Sequence, residues 1–169
     1  MQIPVTSLRV SRSFSGLLAS ILMLGAGGAS AQAPPVPTSY EYAVKFVCGR
    51  AIQDKTTSAA PGFYFTDINV HNPNSTAIEF KKKFAIALPN QTAGKISELF
   101  PAALKSDQAF SVDCAEITKR LGQAPSTFVT GFAVFQTAKE LDIVAVYTTA
   151  GSPAGPVMTL HMERVPKRP

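Results

Sequence analysis

Tryptophan is absent from this 169-residue chain, histidine and cysteine occur twice each, and only 16% of the residues are charged. Each shortage excludes something. Low charge beside 46% hydrophobic residues excludes a disordered chain and a coiled coil. The 11 glycines carry no collagen period, and two cysteines cannot build a cysteine-rich scaffold. No Cys-x-x-Cys spacing, Gly-x-Ser-x-Gly elbow or glycine-rich phosphate loop occurs, so the sequence calls for no cofactor. The length leaves no room for a multidomain enzyme.

What is present begins with a secretory leader. Arg9 and Arg12 form its positive start, Leu17 to Ala29 its apolar stretch, and Ala29-Ser30-Ala31 a small-residue cleavage site before Gln32. Ala31-Gln32-Ala33 is a second cleavage site, disfavoured by the following Pro34. The apolar run is about 13 residues, short of the roughly 20 that a spanning helix needs. Gly25, Gly27 and Gly28 weaken it as an anchor. There is no arginine pair for the twin-arginine route and no cysteine at the cut for a lipid anchor. Residues 32–39 are proline-rich and read as an extended tether. The expected organisation is a signal peptide over 1–31, the tether, one domain over 40–166 and a basic tail over 167–169. The expected route is general secretion, to the periplasm or outside the cell. No transmembrane segment is expected in the mature chain.

The leader takes two arginines and no acid from a net charge of +5, leaving about +3 on the mature chain. The basic residues gather at Lys81-Lys82-Lys83 and at Arg164, Lys167 and Arg168. Nucleic-acid binding calls for a larger clustered excess with aromatic platforms, so no nucleic-acid partner is expected. The lysine run instead suits a solvated strand face or a protected edge. In an oxidising compartment Cys48 and Cys114 are expected to pair as one disulfide. Closing a loop of about 65 residues is worth roughly 3–5 kcal/mol.

Along the mature chain the period is two. Tyr40, Tyr42, Val44, Phe46 and Cys48 share one strand face. In Phe63 to His71, Tyr64, Thr66, Ile68 and Val70 face one way, and Phe65, Asp67, Asn69 and His71 the other. Asn72-Pro73-Asn74-Ser75 is a turn. A strand from Ile78 to Leu88 is interrupted on its apolar face by Lys82, which a bulge or an edge position would explain. Ile96 to Leu104 is ambiguous. Gln108 to Cys114 alternates again, and Asp113 and Gly122 bracket a short helix from Ala115 to Leu121. Phe128 to Thr137 and Leu141 to Thr149 are apolar on both faces and expected to be central. Val157 to Val165 is the last strand. The fold expected is all-β: an antiparallel β-sandwich of about six to seven strands with one short helix.

Candidate chemistry is sparse. His71 and His161 with a carboxylate such as Asp67 or Glu163 would suit a metal or a hydrolytic site, but no spacing demands one, and no metal site or catalytic residue is assigned. Asp67, Asn69, His71 and Asn72, running into the turn at Asn74, form a candidate polar binding surface; an ordinary solvated sheet face is the plain alternative. A second candidate is an apolar reverse side of the central strands formed by Val129, Ala133, Phe135, Val144 and Val146. Cover by residues 96–104 or a subunit contact would account for it.

FTDINVHNPN (Phe65 to Asn74), FKKKFAIALP (Phe80 to Pro89), FVTGFAVFQT (Phe128 to Thr137) and LDIVAVYTT (Leu141 to Thr149) together resemble a recurring small exported bacterial domain with no assigned activity. The same succession is similar to the sensory rhodopsin transducer family, small β-sandwich proteins that assemble into oligomers and bind partners. This chain departs from those cytoplasmic proteins in its leader and cysteine pair, and no site residue carries over. The resemblance implies a sandwich with a non-enzymatic role. The function expected is an exported binding or protein-interaction module, a possible homo-oligomer, whose partner is an unknown protein or small ligand. The alternatives are a small metal-dependent or hydrolytic enzyme using His71 or His161, and a structural component of the cell envelope.

Overall fold

The computed structural model describes residues 40–52, 59–152 and 154–168. The leader and the tether therefore lie outside the described residues. Nine strands and one helix follow one another: β1 (Tyr40–Ala51), β2 (Gly62–His71), β3 (Ile78–Ala87), β4 (Ala93–Ile96), β5 (Phe100–Leu104), β6 (Ala109–Asp113), α1 (Cys114–Leu121), β7 (Val129–Thr137), β8 (Asp142–Ala150) and β9 (Val157–Arg164). All strand pairings are antiparallel. The all-β class and the single short helix agree with the sequence pattern. The strand count is nine rather than six or seven, and the strands form one continuous open sheet.

Its order is β4-β3-β7-β1-β2-β8-β9, with β5 also on β3 and β6 also on β2. Continuity comes from β1. Tyr40 to Cys48 pair with β7, and Gly49 to Ala51 pair with β2. Gly49 sits at the change of partner with φ +90°, a conformation that disfavours side chains. A Cβ there would stand 2.1 Å from the Thr127 carbonyl oxygen, so the bend needs glycine.

Beyond the bend the two halves of the sheet face one another. Phe80 on β3 stacks with Phe110 on β6 at 5.9 Å between centroids. Thr66 on β2 brackets Val47 of β1, its Oγ1 accepting from Val47 N and donating to Val47 O, each at 2.9 Å. The core between the halves holds Tyr42, Val44, Phe46, Ile68, Val70, Phe80, Phe84, Phe135 and Ile143. These are the inward positions of the alternation, which is why the period-two reading located them.

Three expectations are corrected. Val129, Ala133 and Phe135 belong to the core, while Val144 and Val146 are half-buried on the other side of the sheet. Residues 96–104 supply no cover: β4 ends at Ile96 and β5 starts at Phe100, and both extend the sheet beside β3. Lys82 occupies neither an edge nor a bulge, since it pairs with Phe100 on one side and Phe135 on the other. It is an inward residue of β3, only 9% exposed.

Cys48 and Cys114 form the expected disulfide. It joins β1 to the start of α1, where Thr66 N donates to Cys114 Sγ. Asp113 caps α1 by accepting from Glu116 N at 2.8 Å, and Gly122 ends it in the left-handed conformation, as the sequence signals. Among the described residues no helix is long and apolar enough to cross a membrane.

Candidate functional site

Asp67, Asn69 and His71 alternate along β2 with the buried Thr66, Ile68 and Val70, so all three turn outward. Pairing with β6 puts Ser111 beside them, and its hydroxyl donates to Asp67 Oδ1. Asn69 Nδ2 donates to Asp67 Oδ2 at 3.4 Å. His71 Nε2 lies 3.9 Å from the exposed carboxylate of Asp107. The polar groups of the column are thus engaged by one another, by Ser111 and by Asp107.

Asn72 is separated from this column by its burial. It is 0% exposed, and its amide donates to Thr76 O, Leu104 O and Lys105 O at 2.9–3.2 Å. Its carbonyl oxygen accepts from Asn74 N and Asn74 Nδ2. These five bonds tie the turn after β2 to the end of β5, and the side chain has no polar atom turned to solvent. Asn72 is an internal organiser, withdrawn from the candidate binding surface.

The two histidines are not brought together. His71 stands opposite Asp142 and His161 opposite Tyr147 on the same strand β8. Five residues of a strand are about 17 Å, and an odd separation puts the two on opposite sides of the sheet. Among the described residues no group of three His, Cys, Asp or Glu side chains could hold a metal ion.

A concave feature lies elsewhere, in a groove of about 1120 Å³. Ile52, Leu88, Phe128 and Leu160 give it apolar lining, and Lys45 and Arg50 bring positive charge. Tyr147, His161 and Glu163 also line it, and they form a connected cluster. The Tyr147 hydroxyl faces two acceptors, Glu163 Oε1 at 2.6 Å and Lys45 O at 2.9 Å. His161 stacks on the Tyr147 ring at 6.1 Å, with its Nε2 3.9 Å from Glu163 Oε2. Burial, then the hydrogen bond and charge of Glu163, push the Tyr147 pKa well above the ordinary phenol value. The phenol is thus held protonated as a donor, the opposite of what a tyrosine base or nucleophile needs. Its bond to Lys45 O also closes part of the β1 edge.

The sequence placed His161 and Glu163 on one strand face, which is the signal that survives here. Tyr147 and Lys45 had no such signal: Tyr147 reads as one member of an apolar run, and Lys45 comes from β1, 102 residues earlier in sequence. Nor did the cluster under α1. There the inward Lys82 Nζ lies 3.3 Å from Glu116 Oε1, 4.9 Å from the Phe110 ring centroid and 5.6 Å from that of Phe100. Arg120 shares Glu116 from the solvent side at 3.3 Å. The alternating pattern marked Lys82 as anomalous, and its partner on α1 supplies the reason.

No family model, curated protein or solved structure matches this chain.

Proposed function

We propose that this chain is an exported, non-enzymatic binding module whose binding surface is the groove lined by Ile52, Leu88, Phe128 and Leu160. The groove itself carries the reading: it is concave and mainly apolar, with a few polar groups converging on it, which is the usual composition of a ligand site. Lys45 and Arg50 outnumber Glu163, whose charge is engaged by Tyr147, so the groove suits an apolar ligand or partner segment bearing an anionic group. The secretory leader in the sequence and the Cys48–Cys114 bridge support an oxidising, exported location.

The test retains ligands from envelope and culture-supernatant extracts on the immobilised protein, with its disulfide intact. Three forms are compared: wild type, a groove variant (Leu88→Asp with Arg50→Glu), and a β2-face variant (Asp67→Ala, Asn69→Ala and His71→Ala). The expected result is a stoichiometric ligand kept by wild type and the β2-face variant and lost by the groove variant. Loss in the β2-face variant alone would move the site to the polar column.

A further inference from the structure

The edges of the sheet are unequally protected. An exposed strand edge is a row of unpaired backbone groups, and proteins usually block it with short strands, proline, charge or cover. On β1, Val47 is bonded by Thr66, the Lys45 carbonyl by Tyr147, and both backbone groups of Glu41 by Arg168. β4 has four residues and includes Lys95, and β5 has five and includes Pro101. β9 has eight, closes the strand order at its end, and pairs only with β8 among the described residues. From Val157 to Met162 it contains no proline, lysine or acid; its one protective feature is a bulge at Leu160, where the register on β8 shifts between Tyr147 and Thr148, before the regular stretch His161 to Arg164. Val157, Met158, Leu160 and Met162 are 54–65% exposed there.

The backbone specifies what can pair with this edge. Val165 N donates to Ile143 O at 2.8 Å, so Val165 and Glu163 turn their backbone groups toward β8. By alternation Met162 and Arg164 turn theirs outward. A second β9 running antiparallel can bond only through its own outward residues. Centring the pair on Met162 sets Met162 against Met162 of the other copy, each bonding through its outward groups on the regular side of the bulge. It also places His161 opposite Glu163 in both directions. Moving the centre to Glu163 would oppose two carboxylates, which is unfavourable. The tripeptide His161-Met162-Glu163 is therefore complementary to itself when reversed, the property a two-fold interface requires.

We infer that β9 is the dimerisation edge of this protein, pairing antiparallel with β9 of a second copy about a two-fold axis at Met162. The sheet then runs continuously through both copies, and the exposed Met162 side chains meet across the axis. The dimer edge adjoins the groove, whose lining includes Leu160, His161 and Glu163, while Leu88 and Arg50 of that lining lie on other strands or loops.

The deciding measurement is molar mass by sedimentation equilibrium on protein recovered from expression of the full chain, disulfide intact. Wild type is expected at twice the chain mass. Met162→Pro removes the outward N–H without touching the β8 ladder, and Met162→Lys places a charge on the axis. Both are expected to halve the mass while leaving the far-UV circular dichroism unchanged. If the proline variant fails to fold, the lysine variant decides. A monomeric wild type at the highest soluble concentration overturns the inference, as does a dimer that persists in the folded Met162 variants. The groove variant serves as the separate control. It is expected to remain dimeric, so loss of ligand retention and loss of dimerisation can be told apart.

Discussion

At Tyr147 a single phenolic proton holds two distant parts of the chain, β1 through Lys45 O and β9 through Glu163. Its raised pKa, due first to burial and then to Glu163, has a direct consequence for stability. An unfolded tyrosine ionises near pH ~10. Above that value and below the folded pKa, the unfolded chain has released the proton that the folded chain keeps. The folded state then binds more protons, so stability falls as pH rises. Below pH ~10 the contribution is complete. Tyr42 is shifted in the same direction, chiefly by burial, and adds to the slope. In urea titrations Tyr147→Phe is expected to lose about 1 kcal/mol at neutral pH, the net worth of a typical hydrogen bond. Its stability should decline less steeply than that of wild type above pH ~10. An identical slope would exclude Tyr147 as a source of alkaline unfolding. None of this was legible in LDIVAVYTT, because an apolar strand does not announce which of its members will meet a carboxylate on the neighbouring strand. Asn72 shows the same limit. Its place in a turn was readable, but its burial was not, since Leu104 and Lys105 approach it from more than 30 residues away.

Among the elements, α1 was legible at both ends because capping is local chemistry: Asp113 accepts from Glu116 N and Gly122 N donates to Lys119 O, each a bond within one helical turn. β4 and β5 were not legible. Pro101 demotes β5 to an edge, Ser97 to Leu99 interrupt the alternation, and short edge strands owe their extension to a neighbour rather than to their own pattern. The docking of α1 was hidden for a related reason, since it depends on Lys82 from β3 meeting Glu116. That pair yields an unequal prediction. Removing Lys82 leaves Glu116 with Arg120 and some solvent, whereas removing Glu116 leaves an inward ammonium with only aromatic faces. Breaking a fully buried pair costs roughly 3–5 kcal/mol, while replacing the charge by an apolar side chain is often neutral. Because Glu116 is partly exposed, Glu116→Ala is expected to cost about 2 kcal/mol, and Lys82→Met less than about 1 kcal/mol, by urea denaturation. Equal costs would mean that the ammonium is hydrated rather than paired.

For the molecule as a whole, the Cys48–Cys114 bridge matters because of what lies between its ends. Cys48 is the last β1 residue on the β7 ladder, and Cys114 opens α1, 66 residues later in sequence. The intervening chain contains β2 to β6, contributing strands to both halves of the folded-over sheet. In the unfolded state the bridge therefore restrains the segment that must find partners on both sides of the bend at Gly49. Chain entropy for a loop of that length gives about 4 kcal/mol. Domains commonly have only about 5–15 kcal/mol in total, so this is a large share. The core, in contrast, is closed by side chains that do not depend on the bridge: Phe46, Phe84, Phe135 and Ile143 are all fully buried. The double variant Cys48→Ala, Cys114→Ala should consequently still fold, with unchanged strand content by circular dichroism. Its urea midpoint should fall by an amount equivalent to about 4 kcal/mol. A loss below about 1 kcal/mol would show that the unfolded chain is already compact around the bend, leaving the bridge little freedom to remove. Failure to fold would instead mean that the bridge is needed to bring β1 onto β2, making the turn at Gly49 dependent on the cross-link beside it.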